Sequence, residues 1–373
     1  MEIIQVSTKQ ELKAFIYFPY DLYRDDPVWV APLRSEQAGQ FRPEKNPMLN
    51  HCTYALFLAK KGSKVVGRIS AFVDHLALEH WKQPIGLFGS FESIDDPEVA
   101  KGLLQAAVDW LKQKGMASMR GPWSFASQEW GLVVEGFTPP PVIMGCYNPP
   151  YYNDFMTSFG LQKAADLMVY KIDASEGYDL PDRILTLTEI VKKRYGVTVR
   201  EIDMKNLEQD VVTITNMANV SISDNWGFYP VTNEEARAMA RDLKQIVNPK
   251  GLLIAEDREG KPIGFAMTLP DINKLIKGLN GRLLPFGWAK LLFGLPKLRQ
   301  FRMWALGVIP EYQGKAIDTL LYREMYDKLY SKDLRLEINY VLENNDRMNN
   351  ALQKLGVKNL RRYRVYEKQI QGI

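Results

Sequence analysis

Two cysteines and three histidines are all the thiol and imidazole side chains that 373 residues offer. Cys52 and Cys146 have no metal-ligand or redox spacing, which excludes a zinc-ribbon, a thioredoxin-like site and a disulfide framework. His51, His75 and His80 form no triad or ligand pattern and are assigned no catalysis. The opening MEIIQVSTKQELKAF lacks the basic and apolar parts of a secretory leader. These absences predict a reducing, cytoplasmic setting and no bound metal. Long hydrophobic runs are also missing. The longest, LLPFGWAKLLFGL at 283 to 295, is broken by Lys290 and falls short of the roughly 20 residues that span a bilayer. Charge of one sign is scarce too, since 48 basic against 44 acidic residues leave +4. That excess is too weak to argue for nucleic acid, though it suits anionic small molecules or a membrane surface.

What is present is an ordinary globular composition, 46% hydrophobic and 25% charged, in a chain long enough for two domains that each bury a core. A repeat runs through the halves. The hairpin YALFLAKKGSKVVGRISAFVD (54 to 74) alternates around Lys-Gly-Ser, and GLLIAEDREGKPIGFAMTLPD (251 to 271) alternates around Arg-Glu-Gly, with Gly67 and Gly264 in equivalent places. Further on, residues 148 to 171 align without gaps on 344 to 367, pairing Gly160 with Gly356 and Tyr170 with Tyr366. The displacement is nearly the same in both comparisons, so the chain reads as a duplicated unit. Each copy carries an amphipathic helix. The first begins with an Asp cap at Asp95 or Asp96 and Pro97, and the second follows Gln313-Gly314-Lys315. Strands alternating with helices predict an α/β fold with a mixed α+β sheet, in two tandem domains, 1–175 and 176–373, joined near 174 to 180.

The stretch VIPEYQGKAIDTLL (308 to 321) has the shape of a strand end, a tight basic turn and a helix start. A helix opening there leaves backbone N–H groups free and adds its dipole, which suits an anion, with Lys315 as a point charge. The plainer alternative is a surface turn. In the first half the matching helix begins SIDDPEV, and Asp95 and Asp96 are good caps and poor phosphate hosts. One anion site is therefore expected, in the second half.

A strand ending V-x-P-x-x-Q-G-K before an amphipathic helix resembles motif A, Q/R-x-x-G-x-G/A, of the GNAT acyltransferase superfamily. LEINYVLENNDRMNNALQKLGV resembles its motif B. VVGRISAFVD, MRGPWSF, YNPPYY, NWGFYP, NGRLLPFGW and EYQGKAID together resemble the bacterial ceramide-synthase-like group of tandem GNAT proteins over nearly the whole chain. The resemblance implies N-acylation of an amine by acyl-CoA or acetyl-CoA. The pantetheine arm would lie along the strand carrying Leu306 and Val308, and the pyrophosphate on Gln313, Gly314, Lys315, Ala316 and Ile317. Two positions depart from the motif. Ala316 adds a methyl at modest cost if it is helical. Asp318 sets a like charge about 6 Å from a phosphate, worth roughly 1 to 3 kcal/mol.

Aminolysis of a thioester needs a base, an oxyanion donor and an acid. Along LRLEINYV, Arg335, Glu337 and Asn339 share one face while Leu336, Ile338 and Tyr340 share the other. Glu337 is the candidate base, against an ion-paired strand carboxylate, and Tyr340 the candidate acid, against a core aromatic. Superfamily members often place a tyrosine acid where this chain has Leu352. Asn344 and Asn345 are candidate pantetheine contacts or helix caps. Trp226 and Tyr229 lie where the superfamily binds acceptors, as an exposed lid or a packed corner. Between hairpin and central strand lies a basic apolar insertion at 272–300, read as the stretch INKLIKGLNGRLLPFGWAKLLFGLPKLRQFR, which carries Lys274, Lys277, Arg282, Lys290, Lys297, Arg299 and Arg302 among Leu, Phe and Trp with no acid. It reads either as a peripheral contact with anionic membrane, suiting a long-chain or sphingoid-type amine, or as a helical hairpin packed on the sheet. For the whole chain two main functions remain: an acyl-CoA-dependent N-acyltransferase, or a degenerate GNAT protein that binds acyl-CoA or lipid without turnover. A narrower third is acetylation of a small polar amine, which predicts acetyl-CoA preference and no dependence on the 272–300 insertion.

Overall fold

Alternating apolar residues and tight turns produce the strands in both halves. The computed structural model describes residues 1–125 and 130–371. The described residues form two units, one of Met1–Leu167, Ile276–Trp288 and Arg361–Ile373, the other of Met168–Leu275 and Ala289–Leu360.

In the first unit the chain runs β1 (Glu2–Gln5), α1 (Lys9–Leu22), α2 (Arg34–Gly39), β2 (Cys52–Lys61), β3 (Lys64–Asp74), α3 (His75–Trp81), β4 (Ile85–Ser93), α4 (Pro97–Gln113), β5 (Ser118–Gly121), β6 (Leu132–Glu135), α5 (Tyr151–Ser158) and the start of β7 (Gln162–Asp173). Strands β1 to β4 pair antiparallel in sequence, and β5 joins β4 in parallel from Ile85↔Ser118 to Leu87↔Arg120. The second unit runs α6 (Asp182–Tyr195), β8 (Thr198–Glu201), α7 (Leu207–Ser221), α8 (Asn233–Leu243), β9 (Leu252–Glu256), β10 (Pro262–Pro270), α9 (Asn273–Ile276), α10 (Gly287–Gly294), β11 (Gln300–Val308), α11 (Ile317–Leu329), β12 (Arg335–Leu342), α12 (Asp346–Lys354) and the start of β13 (Lys358–Gln369). Its strand order is β12–β11–β10–β9–β8, parallel between β11 and β12 and antiparallel elsewhere. From Arg361 onward β13 belongs to the first unit, where it pairs antiparallel with β5 and β6.

The duplication is visible in side-chain detail. A Cβ at Gly67 would meet Leu103 of α4 at 2.7 Å, and one at Gly264 would meet Leu321 of α11 at 3.1 Å. Each glycine thus lets the helix that follows the parallel strand lie close against its hairpin. Thr268 donates to Met325 Sδ at 2.8 Å on that same face of β10, whereas Phe265 and Gly307 face Ser221 of α7. The second-unit sheet is therefore covered by α11 on one face and α7 on the other. Gly160 and Gly356 both sit at positive φ, 85° and 75°, just after their short helices. These left-handed positions end a helix and return the chain to a strand.

Three readings of the sequence change. Arg302 does not belong to the basic insertion: it lies in β11 with no exposure, because both faces of that strand are covered. His51 does have a partner. The β2–β3 register sets Cys52 opposite Asp74, bringing His51 Nδ1 to 2.9 Å from Asp74 Oδ1 and 4.0 Å from Cys52 Sγ. Asp74 Oδ1 also accepts the Leu76 and Ala77 N–H groups as the cap of α3, so that oxygen serves a structural junction. The third change, at Ala316, belongs to the turn described next.

Candidate active site

The turn before α11 is built by residues with left-handed backbones. Val308 and Ile309 lead into a single 3-10 turn, Pro310–Tyr312, after which Gly314 has φ 77° and Ala316 has φ 58° and ψ 26°. Ala316 is therefore not helical, contrary to the sequence expectation. It carries an αL conformation that costs an L-residue about 1 to 2 kcal/mol and that a glycine adopts freely. Among the described residues, the N–H groups of Gly314, Lys315, Ala316, Ile317 and Asp318 donate to nothing. Five open donors at the positive end of a 13-residue helix form an anion cradle.

The polar side chains around this cradle have distinct roles. Gln313 Nε2 donates to Val308 O at 3.1 Å and Ser221 O at 3.5 Å, so it fixes the turn to the strand end and to α7. The Lys315 ammonium rests 4.2 Å from the Tyr312 ring centroid and 5.6 Å from that of Tyr195, a cation–π clamp at the rim. Tyr312 is held in turn by its O–H donating to Asp257 Oδ2 at 3.0 Å, and that carboxylate pushes the phenol's pKa up. Asp318 turns its Oδ1 onto the Thr319 N–H, and its Oδ2 lies 3.7 Å from Arg347 Nη2 in the first turn of α12. Arg347 is the residue that reading the sequence missed: a cation set against the one acid in the first turn of α11.

Above the turn the sheet opens. Strands β11 and β12 pair in parallel only from Gln300↔Arg335 to Met303↔Ile338, although β11 continues to Val308 and β12 to Leu342. The β10–β11 ladder shifts register between Met267 and Thr268, leaving Trp304 as the extra residue. A bulge of this kind bends the strand and ends pairing on one side. Leu306 stays paired with Ala266, and Val308 with Gly264. The other edge of this stretch is open to an extended amide arm, by the geometry of strand addition.

The last rungs of the parallel ladder carry the ionisable groups. Glu337 is buried at 4% exposure and in register with Arg302, whose guanidinium carbon lies 5.1 Å from the Tyr340 ring centroid. Arg302 and Tyr340 thus meet near the point where β11 and β12 part, with Glu337 on the rung beside Arg302. Arg335, two residues earlier, binds Asp173 at 3.0 Å instead. Asn345 caps α12 by accepting from Met348 N at 3.1 Å, and Asn344 is exposed beside it. Asn349 donates to Leu342 O and accepts from the Tyr170 hydroxyl at 2.8 Å. Leu352 is buried core. Tyr229 is buried and Trp226 half-buried in the α7–α8 loop, which Asn219 ties down through Val231 N and O.

The first unit has the same strand and helix with both positions filled. Asp96 accepts from Glu98 N at 3.0 Å and binds Lys61 Nζ at 2.6 Å, so a carboxylate occupies the helix start. At the end of β4, the Ser93 N–H donates to the Tyr152 hydroxyl at 2.7 Å and the Ser93 carbonyl accepts from Tyr151 at 3.1 Å. Tyr23 and Tyr152 both donate to Glu92 Oε2, and Arg68 stands 3.6 Å from its other oxygen. Burial pushes the pKa of Glu92 up and those of both tyrosines well up. The strand-end backbone that is open in the second unit is here satisfied by side chains.

This architecture and this site have counterparts. No protein-family profile matches the chain. A curated protein of Caulobacter vibrioides named "Bacterial ceramide synthase" is 36% identical over 99% of this chain and 97% of its own. The chain belongs to the bacterial ceramide-synthase-like group of tandem GNAT proteins. "Protein YghO" of Escherichia coli K12 is 37% identical over 97% of this chain and 94% of its own. Among solved structures, a tandem GNAT protein from the clavulanic acid biosynthesis pathway superposes over 100% of this chain and 99% of its own with a TM-score of 0.59 at 11% identity. A glucosamine N-acetyltransferase region of a fungal multi-domain enzyme gives 0.57 at 13% identity, with 38% of that chain covered. At such identities these structures establish the GNAT fold alone. Within that fold the open turn and the splayed strands belong to the second unit, and the filled counterpart to the first.

Proposed function

We propose that the protein is an N-acyltransferase that moves an acyl group from a coenzyme A thioester to an amine, with a long-chain, sphingoid-type amine as acceptor. The observation that carries this reading is the open edge of β11 ending in five free N–H groups, a fit for an extended amide arm followed by a diphosphate. The name of the Caulobacter relative supports the lipid amine. The donor supplies the activated carbonyl, and its cytoplasmic origin puts the reaction in that compartment. Backbone N–H groups along Trp304–Val308 would face the developing oxyanion. Glu337, directly or through water, would accept a proton from the acceptor's ammonium so that the neutral amine attacks, and Tyr340 would give one to the departing thiolate, giving an amide and free coenzyme A. Trp226 and Tyr229 would shape the acceptor side. The buried Leu352 leaves that last proton to Tyr340 or to water.

Ala316 in a glycine conformation favours the second reading, an acyl-CoA-binding protein without turnover. Release of free thiol from palmitoyl-CoA and acetyl-CoA, with sphinganine or a short amine, separates the two. The enzyme reading expects amine-dependent release, fastest with the long-chain pair, and a loss of about 10²-fold or more in Glu337→Gln. Binding of both donors with release no faster than spontaneous hydrolysis would refute it.

A further inference from the structure

The segment between α9 and β11 carries an exposed apolar tip that the site does not use. Leu284 and Phe286 are 79% and 80% exposed, and Trp288, Leu292 and Phe293 follow within the same short stretch at half exposure or more. Five of the ten exposed large hydrophobic residues among the described ones fall between 284 and 293, so this is a concentrated patch and not the usual scatter. Its base is fixed. Gly281, at φ 71°, sits against Pro32 O and the Tyr20 ring, Arg34 N donates to Gly281 O at 3.0 Å, and Arg34 Nε donates to Asn280 O at 3.0 Å. Lys277 Nζ donates to Pro27 O at 3.0 Å. The Trp288 indole N–H donates to Pro285 O at 2.9 Å, which satisfies its polar edge within the segment. The tip is thus presented by a pinned turn.

The charges of the segment itself have one sign. Between Ile272 and Arg302 there is no acid, while Lys274, Lys277, Arg282, Lys290, Lys297 and Arg299 are all exposed. We propose that residues 284–293 and these cations dock the protein on an anionic lipid bilayer, with Leu284, Phe286 and Phe293 in the acyl boundary and the cations at the headgroups. Side chains surrounded by solvent on nearly every side suit insertion into a fluid phase better than contact with a flat protein face. Apolar residues interspersed with exposed Lys and Arg are what an anionic interface rewards.

Co-sedimentation of the full chain with phosphatidylglycerol–phosphatidylcholine vesicles tests this without donor or amine, so its outcome is separate from the acyl-transfer reading. Wild type should bind the anionic vesicles and not pure phosphatidylcholine. Leu284→Ser with Phe286→Ser should weaken binding at least about tenfold, from the apolar area withdrawn. Lys290→Glu with Lys297→Glu should do the same through charge. All four side chains are exposed, so melting temperatures should stay near wild type and show that both variants fold. Failure of wild type to bind anionic vesicles, or binding unchanged in the serine variant, would overturn the proposal. A wild-type dimer that the serine variant converts to monomer, with no vesicle binding, would assign the tip to a second copy of the chain and overturn it equally.

Discussion

Replacing Asp318 with Asn should tighten coenzyme A binding. The carboxylate stands in the first turn of the helix whose free N–H groups are the proposed seat of the pyrophosphate. At about 6 Å, two unit charges interact by roughly 0.7 kcal/mol in a water-like dielectric and 2.8 kcal/mol at an effective dielectric near 20. The Asp318 side chain is 35% exposed, which points to the lower half of that range, about 1 kcal/mol or roughly fivefold in Kd. Arg347, 3.7 Å away, offsets this repulsion in the wild type. Removing it with Arg347→Ala should therefore weaken binding by a similar factor. The double variant, with neither charge, should return close to wild type. Isothermal titration with coenzyme A at low and high salt reads all four proteins, and the differences should shrink as salt rises. Unchanged affinity in Asp318→Asn, or a double variant no closer to wild type than either single, would refute the electrostatic account of the turn.

Ala316→Gly relieves an αL conformation at the same turn, and should raise the melting temperature by a few degrees, net of the glycine's extra unfolded-state entropy; a fall would contradict the conformational assignment. Tyr152→Phe leaves the Ser93 N–H without its partner and should destabilise the fold by about 1 to 3 kcal/mol in denaturant titration. At Asp210, burial pushes the carboxyl pKa up, but two Arg200 hydrogen bonds at 2.9 and 3.0 Å and the Asp203 N–H bring it below 3.8. The folded pKa is depressed, so this contribution is present above pH 4 and lost as pH falls through the folded value. Asp210→Asn should flatten that acid limb, and an unaltered pH–stability curve would count against it.

Reading the sequence located the hairpins, the duplicated helices and the turn because each rests on local chemistry. Alternation, an Asp-Pro helix start, and glycines at Gly67 and Gly264 act over a few residues, and the fold uses them where they stand. The resemblance at Gln313–Ile317 likewise marked the strand-turn-helix that holds the open donors. What was hidden depends on contacts between distant segments. Arg302 read as one more basic residue of the insertion until both faces of β11 were seen to be covered. Arg347 gained its meaning from Asp318, on a different helix. Tyr23 and Tyr152, the second of which fills the first unit's strand end, lie far apart in sequence and meet, hydroxyl to hydroxyl at 3.0 Å, on Glu92. His51 met Asp74 through strand register. The left-handed Ala316 was misread as helical because alanine is a good helix former, and the turn's geometry overrode that preference.

The most direct test of the account is the stoichiometry of coenzyme A binding by titration calorimetry, on wild type, Lys315→Glu and Asp96→Asn. One open cradle and one filled counterpart predict a single site per chain, strongly weakened by Lys315→Glu and unaffected by Asp96→Asn. Two sites per chain, or one site indifferent to Lys315→Glu, would contradict the assignment of the coenzyme to the turn before α11.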